Sequence, residues 1–172
     1  MTNEMKGAFA VLTVSDKGSC GEREDTSGPY LCEALRALGL TQAAYEIVAD
    51  DRDFIRQWLL YFCDVAHVAL VLTTGGTGFA PRDMTPEATL AVIERPAPGL
   101  VEAMRARSLA ITPHAMLSRA AAGIRGRTLI VNLPGSRKAV AECLDVLRPA
   151  LPHALELLAG AAGDCGGMRG ES

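Results

Sequence analysis

Several features are missing or scarce in this chain of 172 residues, and each absence removes a class of function. There is no basic excess: 17 Lys and Arg stand against 20 Asp and Glu, a net charge of −3, which does not suit a protein that coats a nucleic-acid backbone. Long apolar runs are missing too. The longest, such as Val68 to Leu72, fall far short of the ~20 residues that span a bilayer. Nothing at the start resembles a signal peptide, so a cytoplasmic location is expected. The five cysteines (Cys20, Cys32, Cys63, Cys143, Cys165) contain no C-x-x-C pair, and the three histidines (His67, His114, His153) are scattered. A zinc centre is therefore not expected, and no nucleophile stands at local spacing from a histidine. Cys32, Cys63 and Cys143 fall within apolar helical patterns and suit a packing role.

What is present is one globular domain of ordinary composition, 49% hydrophobic and 22% charged. A compact chain of this size buries about 70% of its unfolded surface and needs no disulfide to hold a core. The pattern alternates strand and helix. Ala8 to Val14 is a β-branched and apolar run, followed by a polar loop from Ser15 to Asp25. Thr26-Ser27-Gly28-Pro29 then opens a helix whose stripe is Leu31, Leu35 and Leu38, stopped by Gly39. A second strand is expected at Tyr45 to Ala49, followed by Asp50 and Asp51 and a helix marked by Ile55, Leu59 and Phe62. A third strand, Val68 to Thr73, runs into a glycine-rich loop, and Thr85-Pro86-Glu87 has the form of an N-cap, a first-position proline and a first-turn acid.

Farther on, a proline-punctuated turn (Pro96, Pro98, Gly99) precedes a helix through Met104 and Leu109, closed by Pro113. Ala120 to Arg125 and Thr128 to Leu133 flank a Gly126-Arg127 turn and suit an antiparallel hairpin. Helices through Val140, Leu144 and Leu147 and over Leu151 to Leu158 close a domain of residues 1–158, and 159–172 has the composition of a frayed tail. The expected fold is α/β: a mainly parallel sheet between two helical layers, a three-layer α/β/α sandwich. Ligands of such folds bind beyond the carboxyl ends of the strands. The polar segments at Ser15, Asp50, Thr74 and Asn132 all follow strands, so four loops are placed on one edge.

The loop from Thr74 to Glu87 carries the densest chemistry. Gly75, Gly76 and Gly78 allow tight turns and present N–H groups to an anion, Thr74 and Thr77 add hydroxyls, and a helix start follows. It lacks the Gly-Lys-Ser/Thr of a Walker A loop and the G-x-G-x-x-G of a dinucleotide fold. As a bare pattern it serves a turn with positive φ as well as it serves a phosphate. Asp83 suits a helix-start acid, or with Asp50 the one or two carboxylates that a magnesium ion takes beside phosphate oxygens. Asp51 and Asp53 read as first-turn acids of the next helix. Lys17, Arg82, Arg119, Arg125, Arg137 and Lys138 could bring positive charge to that edge, though each alone reads as a solvated surface charge. Asn132-Leu133-Pro134-Gly135-Ser136 forms a further strand-end turn, with Ser136 near a helix start.

Taken in order, Thr13-Val14-Ser15-Asp16, Asp25-Thr26-Ser27-Gly28, Thr73 to Thr89 (TTGGTGFAPRDMTPEAT), Ala115-Met116-Leu117-Ser118-Arg119, Gly123-Ile124-Arg125-Gly126, Asn132 to Gly135 and Leu151-Pro152-His153-Ala154 resemble the molybdopterin adenylyltransferase family. That family includes the bacterial MogA and MoaB proteins and the gephyrin G domain. The resemblance covers roughly residues 7 to 158 and implies the molybdopterin-binding fold, usually trimeric. It implies transfer of the adenylyl group of Mg-ATP to the terminal phosphate of molybdopterin, with pyrophosphate released and the product passed to a molybdenum insertase.

By position, Asp50 and Asp83 match the family's essential acids, with Mg2+ held by Asp83 and Asp50. Thr74, Gly75, Gly76, Thr77 and Gly78 match the substrate loop, and Ser118 matches a serine implicated in pterin binding. Ser15, Asp16, Asn132, Pro134, Gly135 and Ser136 match the nucleotide side. No nucleic-acid or membrane partner is implied. The loop with Cys20 and the tail with Cys165 have no assigned role. A pterin carrier without catalysis, and a nucleotide-hydrolysing relative of the competence-damage type, are the alternative readings.

Overall fold

The computed structural model describes residues 5–160, so the expected tail over 159–172, with Cys165, lies almost wholly outside the described residues. Six strands form one sheet: β1 (Ala8–Val14), β2 (Thr41–Val48), β3 (Leu70–Thr74), β4 (Arg95–Pro96), β5 (Ala122–Arg125) and β6 (Thr128–Leu133). Their order is β2-β1-β3-β6-β5-β4. The first four in that order run parallel, and β5 and β4 are antiparallel additions at the far edge. Among the described residues there are seven α-helices, α1 (Asp16–Ser19), α2 (Ser27–Ala37), α3 (Arg52–Asp64), α4 (Thr85–Leu90), α5 (Pro98–Leu109), α6 (Arg137–Leu147) and α7 (Leu151–Ala159), and one 3-10 helix, Pro113–Leu117. None is long and apolar enough to cross a membrane.

Two cores follow from the alternation of side chains along each strand. Phe9 and Val11 of β1, with Leu70, Leu72, Leu129 and Val131, pack against α2, α5, α6 and α7 through residues such as Leu35, Met104, Leu144 and Leu155. Ala10, Leu12 and Val14, with Val71 and Ile130, face the other way onto α3 and α4, where Ile55, Leu59, Phe62 and Ala88 are buried. The sheet is therefore covered on both faces, which is why its central strands lack a polar alternation.

Several details depart from the sequence expectation; β3 and β5, for instance, begin two residues late, at Leu70 and Ala122. β2 begins at Thr41 and not at Tyr45, because its first three residues lie exposed on the sheet edge and carry no apolar pattern. Arg95 and Pro96, expected to be part of a turn, pair with β5 as a two-residue strand. Within the loop from Ser15 to Asp25, residues Asp16–Ser19 form one helical turn, capped by the Ser15 hydroxyl, which accepts from the Gly18 N–H at 3.0 Å. Thr85 is not an N-cap. Met84 holds that position, while Thr85 is buried inside the helix start and donates its hydroxyl to the Gly75 carbonyl at 2.9 Å.

Candidate active site

Strand order reverses across β1: the crossover through α2 places β2 on one side of it, and the crossover through α3 places β3 on the other. An α/β sheet opens a crevice beyond the strand ends at such a point. Ser15 leaves β1 there, Asp50 follows β2, and the glycine loop leaves β3. Gly75 has φ +94, and a Cβ there would run into the Val14 carbonyl at the end of β1. Its N–H donates to the Leu133 carbonyl at the end of β6, 3.2 Å away. The loop thus lies wedged among three strand ends.

Two clefts open on either side of it. The first, about 510 Å3, is lined by Ser15, Asp25, Ser27, Gly75, Ser136 and Arg137 among others. Asp25 organises its floor. One carboxylate oxygen accepts from the N–H groups of Ser27 and Gly28 at 3.0 and 3.1 Å, and the other accepts from the hydroxyls of Thr13 and Tyr45, each at 2.6 Å. Burial, and then the Asp25 hydrogen bond, push the Tyr45 phenol up, so it stays a neutral donor. Asp25, and not Thr26, therefore caps α2 through its side chain. Ser27 donates to the Gly135 carbonyl at 2.9 Å and Thr74 to the Pro134 carbonyl at 2.7 Å, which pins the turn before α6 against the crevice. Ser136 caps α6, accepting from Ala139 N–H at 3.2 Å.

The second cleft, about 280 Å3, is mainly apolar, with Met104, Leu117 and Pro134 in its walls and Thr77, Gly78 and Ser118 among its polar groups. Such a lining suits a flat heterocycle held by a few placed polar groups. Arg105 donates to the Ser118 carbonyl at 3.1 Å and so fixes the backbone that carries the serine hydroxyl.

The two expected acids stand beside the shared loop. A Cβ on Gly76 would come within 3.1 Å of Asp50 Oδ1, and one on Gly78 within 2.9 Å of Asp83 Oδ2. Asp50 and Asp16 cap each other, the Asp16 N–H donating to Asp50 at 2.9 Å and the Asp50 N–H to Asp16 at 3.0 Å. Burial raises the Asp50 carboxyl above the usual range; the Asp16 hydrogen bond opposes this, and the charges of Asp16 and Asp83 add to it. Asp16 is held below that range by a two-point hydrogen bond from Arg82, at 2.5 and 2.8 Å. Asp83 accepts from the Ala80 N–H at 3.1 Å.

Among the described residues no three His, Cys, Asp or Glu side chains converge as a metal cluster. Asp50 and Asp83 are hard oxygen donors that fit a magnesium ion taking most of its shell from phosphates and water.

Asn132 does not face the nucleotide side as expected. Its side chain is fully buried: Oδ1 accepts from the Ala121 N–H at 3.0 Å, and Nδ2 donates to Thr73 and Thr89 at 3.0 and 2.9 Å. The amide ties β6 to β3 and α4, leaving it no free donor for a ligand. Of the cations, Arg137 lies over the Tyr30 ring at 3.4 Å and lines the first cleft. Arg125 is remote, because β5 runs antiparallel and carries it to the opposite sheet edge, where it pairs with Asp64 at 2.7 Å. Arg119, expected as a surface charge, turns inward onto the glycine loop. Asp25 is not among the site residues the sequence points to, although the Asp25-x-Ser27-Gly28 spacing carries the mark of a local Asx turn. Cys32 and Cys63 are buried, their thiols each pushed up to about 11 by desolvation, which suits packing and not attack.

Comparison with known proteins identifies the family. A family described as "Probable molybdopterin binding domain" matches residues 10–153. A molybdopterin adenylyltransferase of Helicobacter pylori strain J99 is 48% identical over 154 residues, covering 88% of each chain. One of Escherichia coli K12 is 39% identical over 166 residues, covering 88% of this chain and 85% of its own. The crystal structure of a molybdopterin biosynthesis enzyme, MoaB, from Thermus thermophilus superposes with a TM-score of 0.85 at 50% identity, covering 90% of this chain and 97% of that one.

Proposed function

The chain belongs to the molybdopterin-binding domain family, and from that premise we propose that it is a molybdopterin adenylyltransferase of molybdenum cofactor biosynthesis. A terminal phosphate oxygen of molybdopterin attacks the α-phosphorus of ATP. The new O–P bond forms as the bond to the β-phosphate oxygen breaks, leaving adenylyl-molybdopterin and pyrophosphate. The observation that carries this reading is the pair of clefts sharing one glycine loop, with Asp50 and Asp83 against that loop.

ATP takes the first cleft, where Ser15, Gly135, Ser136 and Arg137 surround it, and the pterin takes the second, beside Ser118. The loop N–H groups of Gly75 to Gly78 lie between the two and orient the reacting phosphates. Asp50 and Asp83 would hold Mg2+, which when bound neutralises charge gathering on the departing pyrophosphate. The proposal assigns the activity to residues 1–158, in a cytoplasmic homotrimer that hands its product to a molybdenum insertase.

The test incubates the purified protein with molybdopterin and Mg-ATP, reading adenylylated pterin by mass and pyrophosphate in parallel. Asp83→Asn should fold normally and lose at least about 100-fold in turnover, the scale of one preorganised electrostatic contact. Full turnover in that variant would remove Asp83 from the reaction. Pterin binding without product in the wild type would make the protein a carrier.

A further inference from the structure

One side chain joins the glycine loop, the acid and the pterin cleft. The Arg119 guanidinium donates from Nε to the Gly78 carbonyl at 2.7 Å and from Nη2 to the Asp83 carbonyl at 2.7 Å, and through Nη1 it pairs with the Glu87 carboxylate of α4. The Arg119 backbone N–H donates to the Thr77 carbonyl at 2.9 Å. The residue directly before it is Ser118. We propose that Arg119 is a positioning residue for adenylyl transfer, setting the placement of Asp83 relative to the substrate loop; the proposal rests on the function given above.

Apart from this clamp, the segment it spans is tied within its own turn, where the Ala80 N–H donates to the Asp83 carboxylate, and at one outer point, where Arg82 binds Asp16. Phe79 to Arg82 are exposed, and within the turn the Asp83 N–H donates to the Ala80 carbonyl at 2.9 Å. Arg119 closes this span by binding its two ends, Gly78 and Asp83. A guanidinium suits the task because its donors are arranged in a fixed plane, so three acceptors from three positions are held at set separations. A lysine ammonium keeps the charge but cannot reproduce that fork.

Glu87 anchors the other side. Burial acts to raise its carboxyl, but the Arg119 hydrogen bond, its own backbone hydrogen bond and the charges of Arg119 and Arg52 outweigh this and hold it below the usual range. Its Oε2 is buried with no hydrogen-bond partner, which makes the Arg119 pairing at Oε1 the more important for keeping the charge in place. The clamp is therefore fixed to α4 at one end and to the loop at the other. It touches neither cleft's proposed phosphate path, so it acts through Asp83 and the loop and not on the substrate itself.

The experiment uses the full chain, with Arg119→Lys and Arg119→Ala beside the wild type, in the molybdopterin and Mg-ATP assay and in amide hydrogen exchange. A misplacement of about 1 Å at a reacting group costs on the order of 100-fold. Arg119→Lys is expected to lose roughly 30- to 100-fold in kcat with the KM for ATP changing less than about threefold, because the first cleft is untouched. Exchange should rise at the amides of Gly78 to Asp83 and stay unchanged along β6.

Guanidinium ion should restore part of the activity of Arg119→Ala and none of Asp83→Asn. Wild-type kcat in Arg119→Lys overturns the proposal, as does a loss matched by the unfolded fraction or exchange that rises throughout the chain. If the wild type itself makes no adenylylated pterin, the assigned function fails and exchange alone decides: a rise confined to 78–83 upholds the clamp, and an unchanged segment overturns it.

Discussion

Replacing Asn132 by alanine separates a core clamp from a nucleotide contact. Three hydrogen bonds are lost, to the Ala121 N–H and to the hydroxyls of Thr73 and Thr89, and all four residues are buried. Each such bond contributes about 1 kcal/mol net, and the Ala121 N–H, left without a partner in the interior, adds a desolvation cost of about 1–3 kcal/mol. The threonine hydroxyls can rotate toward other acceptors, so they add less. The expected loss is about 4 kcal/mol, a large share of the roughly 5–15 kcal/mol of an ordinary domain. At about 2–4 °C per kcal/mol for a chain of this length, Tm should fall by roughly 8–16 °C. Urea unfolding followed by circular dichroism reads this as a lower midpoint at unchanged slope. Calorimetric titration of the folded variant with Mg-ATP should return the wild-type affinity. A stability loss under about 1 kcal/mol together with roughly tenfold weaker ATP binding would refute this assignment and restore Asn132 to the nucleotide side.

Gly75→Ala places a Cβ at φ +94 against the Val14 carbonyl, which β1 cannot move aside, so a loss of about 2–4 kcal/mol with near-complete loss of activity is expected, read by urea unfolding and pterin adenylylation. Gly126→Ala is the control: its φ is +56 with open space around it, and a cost of about 1 kcal/mol with full turnover should be seen by the same two assays. For Arg125→Ala, the lowered Asp64 carboxyl fixes the sign. The hydrogen bond from Arg125 holds it below its ordinary 3.8, so the pair's contribution is fully present above that value and is lost as pH falls through the lowered one. Asp64 is half exposed, so the pH-dependent part should not exceed about 1 kcal/mol, and the gap between wild type and variant should narrow in urea unfolding as pH falls below 3.8, leaving the loss of the Arg125 bond to the Val92 carbonyl; a gap that stays constant as pH falls would contradict the pairing.

The layered fold was legible because its strands are buried runs set between helices with one apolar stripe, and both patterns are written directly in residue order. The place of Asn132 is hidden for the same reason that β6 is legible. All six residues of Thr128–Leu133 are buried, so nothing in the strand alternates and nothing tells whether the amide at its end points into the core or into the crevice. Only the register against β3, which sets Asn132 opposite Thr73, decides it. Arg119 was hidden differently: a long charged side chain follows Ser118 in a loop, and its three acceptors come from positions 78, 83 and 87, a convergence that spacing does not encode. Asp50 and Asp83 are legible as paired carboxylates at strand and helix ends, and the resemblance matches them to the family's acids, whereas their place beside the glycines requires the backbone. The first residues of β2 and the two-residue β4 escaped because short edge pairings bury too little to leave a pattern.

The place of the glycine loop after β3 has a reason in the sheet itself. β3 runs between two parallel strands whose ends both meet the loop: β1, whose Val14 carbonyl abuts Gly75, and β6, whose Leu133 carbonyl receives the Gly75 N–H. A loop leaving that position borders both clefts within four residues, Gly75 in the first and Thr77 and Gly78 in the second. The crowding of strand ends demands the positive φ at Gly75, the positive φ and the Thr85 hydroxyl, with Asp50 farther off, exclude a side chain at Gly76, and the Asp83 carboxylate excludes one at Gly78. A tight turn and an anion cradle, which compete as readings of the bare sequence, are therefore successive requirements on one segment. The first two glycines serve the fold, Gly78 makes room for Asp83, and their shared backbone runs from one cleft to the other.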